Sequence, residues 1–442
     1  MKRSTPWLAV IPAAALVLAA CGGAEEPADD PEPADDTTEE EVDDEPDEPD
    51  EEVEDEDAAE DEEAEEVVRA DADLVIWADD TRTPVLEPFA DDFGSENEVE
   101  VAIQEVAFDD IRERLITAGP AGEGPDIIIG AHDWLGELVE NGVLANVDLT
   151  GVEDDLEEVT VQAFTYEGQT YGLPYATENV GLFRNTDLVP DAPQTWEELE
   201  DIALGLQDDG EVEQGLVFPT EPADPYHNYP VVTALGGYVF GQADDGTYDA
   251  SDVGIDSEGG LAAAQQFRDM VDSGLVSPDI SYELMIDLFS GDDAAFAITG
   301  PWGMPDFEDV PFEVSPIPSI DGGTPEPFVG VQGFMISAFA ENELLAQTFL
   351  TDFMATEDAQ VALFEAGNRP PALTSAFDAV ADDPNIEAFG EAGADGVPMP
   401  AIPEMGSVWD AWTNAYELIY EDEQAPDEAF QDAADQIREQ IG

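Results

Sequence analysis

Among 442 residues there is one cysteine, and there are two histidines. Cys21 has no second thiol to pair with, so no intrachain disulfide braces the fold. Two histidines and one cysteine are also too few for an ordinary zinc site. Cations are nearly as scarce: ten lysines and arginines face 109 aspartates and glutamates, for a net charge of −99. Lys2 is the sole lysine. Nucleic acid is excluded as a partner, because its phosphates are held by Lys and Arg contacts. Anionic lipid heads repel such a chain for the same reason. Nothing in the sequence supplies a nucleophile elbow, a phosphate loop or a metal cluster, and no cofactor is expected.

What is there begins with the ends. Residues 1–20, MKRSTPWLAVIPAAALVLAA, carry two cations, then an apolar stretch, then small residues. That is a secretory signal in form, too short for a permanent membrane span. Leu18-Ala19-Ala20-Cys21 resembles the bacterial lipobox, which implies lipidation of Cys21 and attachment to the membrane through the lipid alone. Residues 21–70 then read as a tether. From Ala24 to Glu66 they hold 28 of the 109 acids and no aromatic residue, a composition that cannot build a core. The remaining domain is acidic too, which fits a saline habitat, although a GC-rich genome would also deplete lysine.

The rest is long enough for two ordinary domains. "ADLVIWADD", "VEVAIQEV" and "PDIIIGAHDW" read as strands, with helices over "PVLEPFADDFGSE" and "DDIRERLITAG" between them. Strand and helix alternating in this way build parallel sheets through right-handed crossovers. "GLFRNTDL", "QGLVFPT" and "AAFAITGPW" read as further strands, and the C-terminal third is mostly helical by its 3.6-residue period. Three isoleucines in a row suit a strand covered on both faces. Such strands deliver ligand-binding residues at their carboxyl ends, where here His132, Asp133 and Trp134 stand. "ADDGTYDASD" resembles a calcium loop but reads better as a hairpin turning at Asp245-Gly246.

In order along the chain, "LVIWADDTR", "GEGPDIIIGAHDWLGELVENGVLANV", "YGLPYATENVGLFRNTDLVPDAPQTWEEL", "DPYHNYPVVTALGGYVF", "FAITGPWGM", "PFVGVQGF" and "MPAIPEMGSVWDAW" resemble the maltose/maltodextrin-binding proteins, the solute receptors of sugar-importing ABC transporters. The likeness runs from Asp73 to Gly442. It implies an α/β, two-lobed periplasmic-binding-protein-like fold of type II, each lobe a mainly parallel sheet flanked by helices, with a multi-segment hinge. Lobe I would comprise 71–177 with 331–371, and lobe II 178–330 with 372–442. The implied protein is a monomeric, extracytoplasmic receptor that captures maltodextrin-like α-glucosides and presents them to permease subunits.

Residue by residue, the resemblance places ligand contacts at Asp79, Asp80, Arg82, Asp133, Glu178, Asp224, Tyr226, Trp302 and Trp409. The chemistry agrees: rings cover the C–H face of a pyranose while carboxylates accept hydroxyl hydrogens. Trp134 stands where the family often has a basic residue, and its ring is expected either to add a stacking surface or to cap the next helix. His227 replaces a common phenylalanine, which is expected to loosen one platform. Trp77 and Trp196 read as packing residues, and His132 as an orienter of its loop. Two alternatives remain open: a receptor for another oligosaccharide such as trehalose or a cyclodextrin, and a glycoside hydrolase using Asp133 and Glu178 as its acid pair.

Overall fold

Strand β1 (Leu74–Ala78) and strand β3 (Ile127–Ala131) are buried at every position. Their side chains alternate between two apolar clusters: Ile127 and Ile129 enter one with Leu74 and Ile76, while Ile128 and Ala131 enter the other with Val75 and Trp77. A sheet covered on both faces needs such an unbroken apolar run. These strands belong to a computed structural model that describes residues 68–243 and 247–442. The expected signal, Cys21, nearly all of the tether and the Asp245-Gly246 turn lie outside the described residues. The strands flanking that turn, Phe240–Gln242 and Tyr248–Val253, pair antiparallel.

Two larger sheets carry the fold. β2 (Val101–Glu105) and β3 lie parallel on either side of β1, joined through helices α1 (Thr83–Asn97) and α2 (Phe108–Ala121). Strands β4 (Leu144–Ala145) and β5 (Gly172–Glu178) belong to the same seven-stranded sheet. A four-stranded sheet takes β6 (Gly181–Asn185), β7 (Gln214–Val217), β8 (Ala294–Thr299) and β9 (Phe312–Ser315) in the order β9-β6-β8-β7. The chain then returns to the first sheet with β10 (Phe328–Ser337) and β11 (Val397–Pro398).

Both sheets are mixed, which corrects the expectation of mainly parallel ones. β10 runs antiparallel to β3, β4 and β5. It arrives from the other sheet rather than through a strand–helix–strand crossover, so the crossover rule does not set its direction. In the four-stranded sheet β6 opposes both β8 and β9, and only β7 and β8 are parallel. β11 pairs with the start of β10, Val397 beside Phe328 and Pro398 beside Val329. The helices that matter for the site are α3 (Trp196–Asp209), α4 (Pro225–Ala234), α5 (Glu357–Gly367) and α6 (Trp409–Tyr420). Among the described residues no helix is long and apolar enough to cross a membrane.

Asp126, just before β3, shows how a buried acid is held in so anionic a chain. Its carboxylate, fully buried, accepts from the Val75 and Glu341 backbone N–H groups at 2.7 Å each and from Arg69 at 2.8 Å. Those bonds tie the edge of the domain, β1 and the segment after β10 to one point. Removing a carboxylate from such a set strands three donors, one of them charged. Asp126→Ala should cost about 3–5 kcal/mol of folding free energy by urea unfolding, and a loss below about 1 kcal/mol would show the set to be dispensable.

Candidate functional site

The loops at the carboxyl ends of β1 and β3 start the site. After β1, Asp79 Oδ1 accepts the Arg82 backbone N–H at 2.9 Å and its other oxygen meets the Arg82 guanidinium. Arg82 is itself buried between the rings of Phe108 and Tyr175, 5.3 and 5.6 Å from their centroids. Its Nη2 has no protein partner. Asp80 is exposed and bonds to Thr81 N at 2.8 Å.

The penultimate residue of β3, Gly130, is glycine for a steric reason. A Cβ there would lie 2.1 Å from Trp134, whose ring folds back over the strand end. Trp134 is 6% exposed and packs 4.8 Å from Phe108, so it is a core residue with almost no surface to offer a ligand. This corrects the stacking surface expected of it. His132 uses both ring nitrogens: Val331 N–H donates to Nδ1 at 3.0 Å, and Nε2 donates to the Met399 carbonyl at 3.2 Å. That pattern needs a neutral ring, and burial pulls its pKa down to about 4.

Asp133 lies between them, 4% exposed. The Trp409 side chain favours its anion, but Oδ1 has no hydrogen-bond partner. Burial pushes this carboxyl up to about 7, against the pull of nearby Arg112.

Glu178 closes β5 at the centre of the site, 7% exposed. Gln332 Nε2 donates to Oε1 at 2.7 Å and Arg369 Nε donates to Oε2. Gln332 Oε1 is buried without a partner. The Glu178 charge raises the pKa of Arg82, Asp133 and Tyr226, and the Tyr226 hydroxyl also bonds to the Glu178 carbonyl.

The aromatic part comes from the other side. Asp224 caps α4 by accepting the Tyr226 N–H at 2.8 Å, and its second oxygen pairs with His227, so both oxygens are engaged. The Tyr226 hydroxyl is shared between the carbonyl oxygens of Glu178 and Phe328, 3.3 Å from each. Trp302, Tyr226, Phe328 and Trp409 form a row with centroids 6.0, 6.1 and 6.3 Å apart in turn. Tyr226, Trp302 and Trp409 are partly exposed, while Phe328 is buried beneath them. His227 packs edge-on against Trp302 at 5.9 Å, so it supports the platform it was expected to loosen. Trp196 is a packing residue at the start of α3, and Trp77 is core.

Sequence reasoning missed Arg369, Gln332 and Phe328. Asp109 of α2 was missed too; it interacts electrostatically with Asp224 and His227. A signal existed for Arg369: so few cations are present that each one has a local reason. No group of three or more potential metal ligands occurs among the described residues. A groove of about 740 Å³ lined by Glu140, Tyr166, Tyr248 and Glu404 includes none of the site residues.

This geometry can take a neutral, hydroxylated, ring-shaped solute: rings for an apolar face, and open acceptors with one open donor for hydroxyls. The comparisons agree in class. The profile of bacterial extracellular solute-binding proteins matches residues 89–388. A galactooligosaccharide-binding protein of Bacillus subtilis is 30% identical over 84% of this chain and 90% of its own length. A maltodextrin-binding protein of the same organism is 28% identical over 83% and 90%. A maltooligosaccharide ABC transporter solute-binding lipoprotein of Streptococcus pneumoniae is 27% identical over 84% and 89%. With its family profile matched over most of its length, this chain belongs to the bacterial extracellular solute-binding proteins.

Proposed function

We propose that the protein is the oligosaccharide receptor of an ABC importer, taking maltodextrin-like α-glucans between two lobes and handing them to the permease. The observation that carries this reading is the set of three buried, unpartnered polar atoms around Glu178. Arg82 Nη2, Asp133 Oδ1 and Gln332 Oε1 are each buried without a protein partner, and Tyr226 of the aromatic row bonds to the Glu178 carbonyl. Burying polar atoms without partners is costly, and sugar hydroxyls are donors and acceptors that would satisfy them. The lobes would be built on the two sheets, with the β5–β6 connection and the start of β10 among the crossings. A ligand touching both would favour the closed form. Taking that form from rare to dominant needs a preference of about 10⁴, roughly 5.5 kcal/mol.

The receptor reading is preferred to a hydrolase. A raised carboxyl such as Asp133 suits a general acid, but the second carboxylate must be free to attack or to activate water. Glu178 has both oxygens occupied by Gln332 and Arg369. Calorimetry with maltose, maltotriose, longer maltodextrins, galactooligosaccharides, trehalose and cyclodextrins should give saturable binding strongest for the maltodextrins. A preference for galactooligosaccharides would move the ligand class toward that of the Bacillus relative. Shorter products appearing from an incubated maltodextrin would sink the receptor reading itself.

The anchor belongs to this proposal: Cys21 carries the lipid, and the acidic segment spaces the receptor from the outer face of the membrane. The intact mass of the protein from native membranes should show a lipidated terminus at Cys21. An unmodified terminus elsewhere would overturn the anchor.

Asp133 ties the chemistry to pH. Its carboxyl in the unliganded protein titrates near 7, whereas hydroxyl donors favour the anion. Affinity should therefore fall as pH drops below 7, by up to about tenfold per unit. Asp133→Asn should bind about ten- to hundredfold more weakly at pH 8 and lose this dependence. The unliganded fold is affected in the opposite sense. The proton held in the folded state is released near pH 4 when the chain unfolds, so this stabilisation is complete below about pH 4 and is lost as pH rises through 7. Asp133→Asn should lack that loss in thermal unfolding scans. A parent affinity that is flat from pH 5 to 8 would remove Asp133 from the site.

A further inference from the structure

Helix α5 ends at Gly367, and Asn368 follows in the left-handed conformation with φ of 53°. That turn aims Arg369 back across the helix end. A Cβ on Gly367 would come within 2.7 Å of its guanidinium, so the side chain lies directly over the glycine. The next residues are pinned to the first sheet: Thr177 N–H donates to the Pro370 carbonyl at 2.9 Å, and Pro371 bridges to Ala176. Arg369 is thus held on a short, anchored segment rather than on a free loop.

Its guanidinium makes two contacts at once. Nε donates to Glu178 Oε2, and Cζ lies over the Trp302 ring, 5.1 Å from the centroid. The side chain is 11% exposed. Stacking on a ring while donating to a carboxylate is also what a pyranose would do, with a C–H face on the indole and hydroxyls on Glu178. Trp302 stands at one end of the aromatic row, and Trp409 with the open oxygen of Asp133 stands at the other. Arg369 therefore occupies the platform at one end and leaves the other available.

We infer that Arg369 is a specificity-determining residue: it covers the ring face of Trp302, closes that end of the aromatic row, and so fixes how many sugar units the site accepts. The inference rests on the oligosaccharide reading above and deepens it. Its charge suits the post as well as its shape. An apolar cap over Trp302 would leave Glu178 Oε2 without its cation, whereas arginine satisfies the acid and covers the ring together.

The test compares the parent with Arg369→Ala, Arg369→Gln and Arg369→Lys. Each is titrated calorimetrically with glucose, maltose, maltotriose, maltotetraose and maltopentaose, after circular dichroism has confirmed folding. A merely structural role would weaken all the sugars alike. The cap predicts a change in the ratio between them: Arg369→Ala and Arg369→Gln should gain about three- to tenfold for the glycan one unit longer than the parent prefers, relative to the preferred one. Trp302 fluorescence should respond to that longer glycan in the variants and not in the parent. Lysine, which keeps the charge without the planar cover, should fall between. An unchanged length profile in folded variants overturns the inference, as does uniform loss of every sugar. Should Arg369→Ala fail to fold, the Gln and Lys variants decide by the same ratio. A parent that binds none of these sugars, nor the galactooligosaccharides, would instead bring down the oligosaccharide reading on which the inference rests.

Discussion

Carboxylates outnumber cations here by more than ten to one, and every buried acid must find its partner under that shortage. All eight arginines among the described residues are ion-paired. The buried acids lean on neutral donors as well: Asp126 on two backbone N–H groups, Asp79 on the start of α1, Glu178 on a glutamine. A hydrogen bond to an anion is stronger than one between neutral groups, so backbone donors can replace missing cations. Against that background an acid with an open oxygen stands out. Asp133 Oδ1 is buried and unpartnered; Glu137 Oε2, also without a hydrogen bond, at least has Arg112 within 3.5 Å. At Asp133 the internal supply of donors runs out, and a hydroxylated ligand can make up the difference.

The rings follow from the same logic. A cleft lined only by acids would repel itself apart, and a cleft lined only by rings would collapse on itself. Alternating the two keeps the acids spaced and gives the rings polar edges. Tyr226 shows the interlocking: its ring stands in the row, its backbone N–H is capped by Asp224, and its hydroxyl rests on carbonyls of Glu178 and Phe328. Those two residues lie at the end of β5 and the start of β10, so a change in either strand is felt at the aromatic row.

Much of this was legible in the sequence, and the exceptions are instructive. The isoleucine run before Gly130 marked an inner strand, because only burial on both faces tolerates three such residues in succession. Parallel order was readable only where strand and helix alternate locally. It failed at β10, whose neighbours are fixed by contacts nearly two hundred residues distant in the chain, such as Val331 with His132. Trp134 was misjudged because a ring after a strand reads equally well as platform or as packing; the space over Gly130 decides, and no pattern encodes it. Arg369 was missed for a different reason: the scarcity of cations marked it, but not its role. Its meaning comes from Glu178 and Trp302, which no spacing in the chain connects to it.

The placement of the arginines has a consequence for the life of the protein outside the cytoplasm. Their side chains are mostly sequestered: Arg438, at 39%, is the most exposed among those in ion pairs, and Arg82 and Arg184 are at 4%. No lysine occurs anywhere in the described residues. Secreted endopeptidases that recognise a basic side chain need to extract it, in extended backbone, into a pocket of their own. On this surface they find acids almost everywhere and arginines already engaged. The same scarcity that leaves Asp133 Oδ1 without a partner makes the folded domain a poor substrate for trypsin-like cleavage.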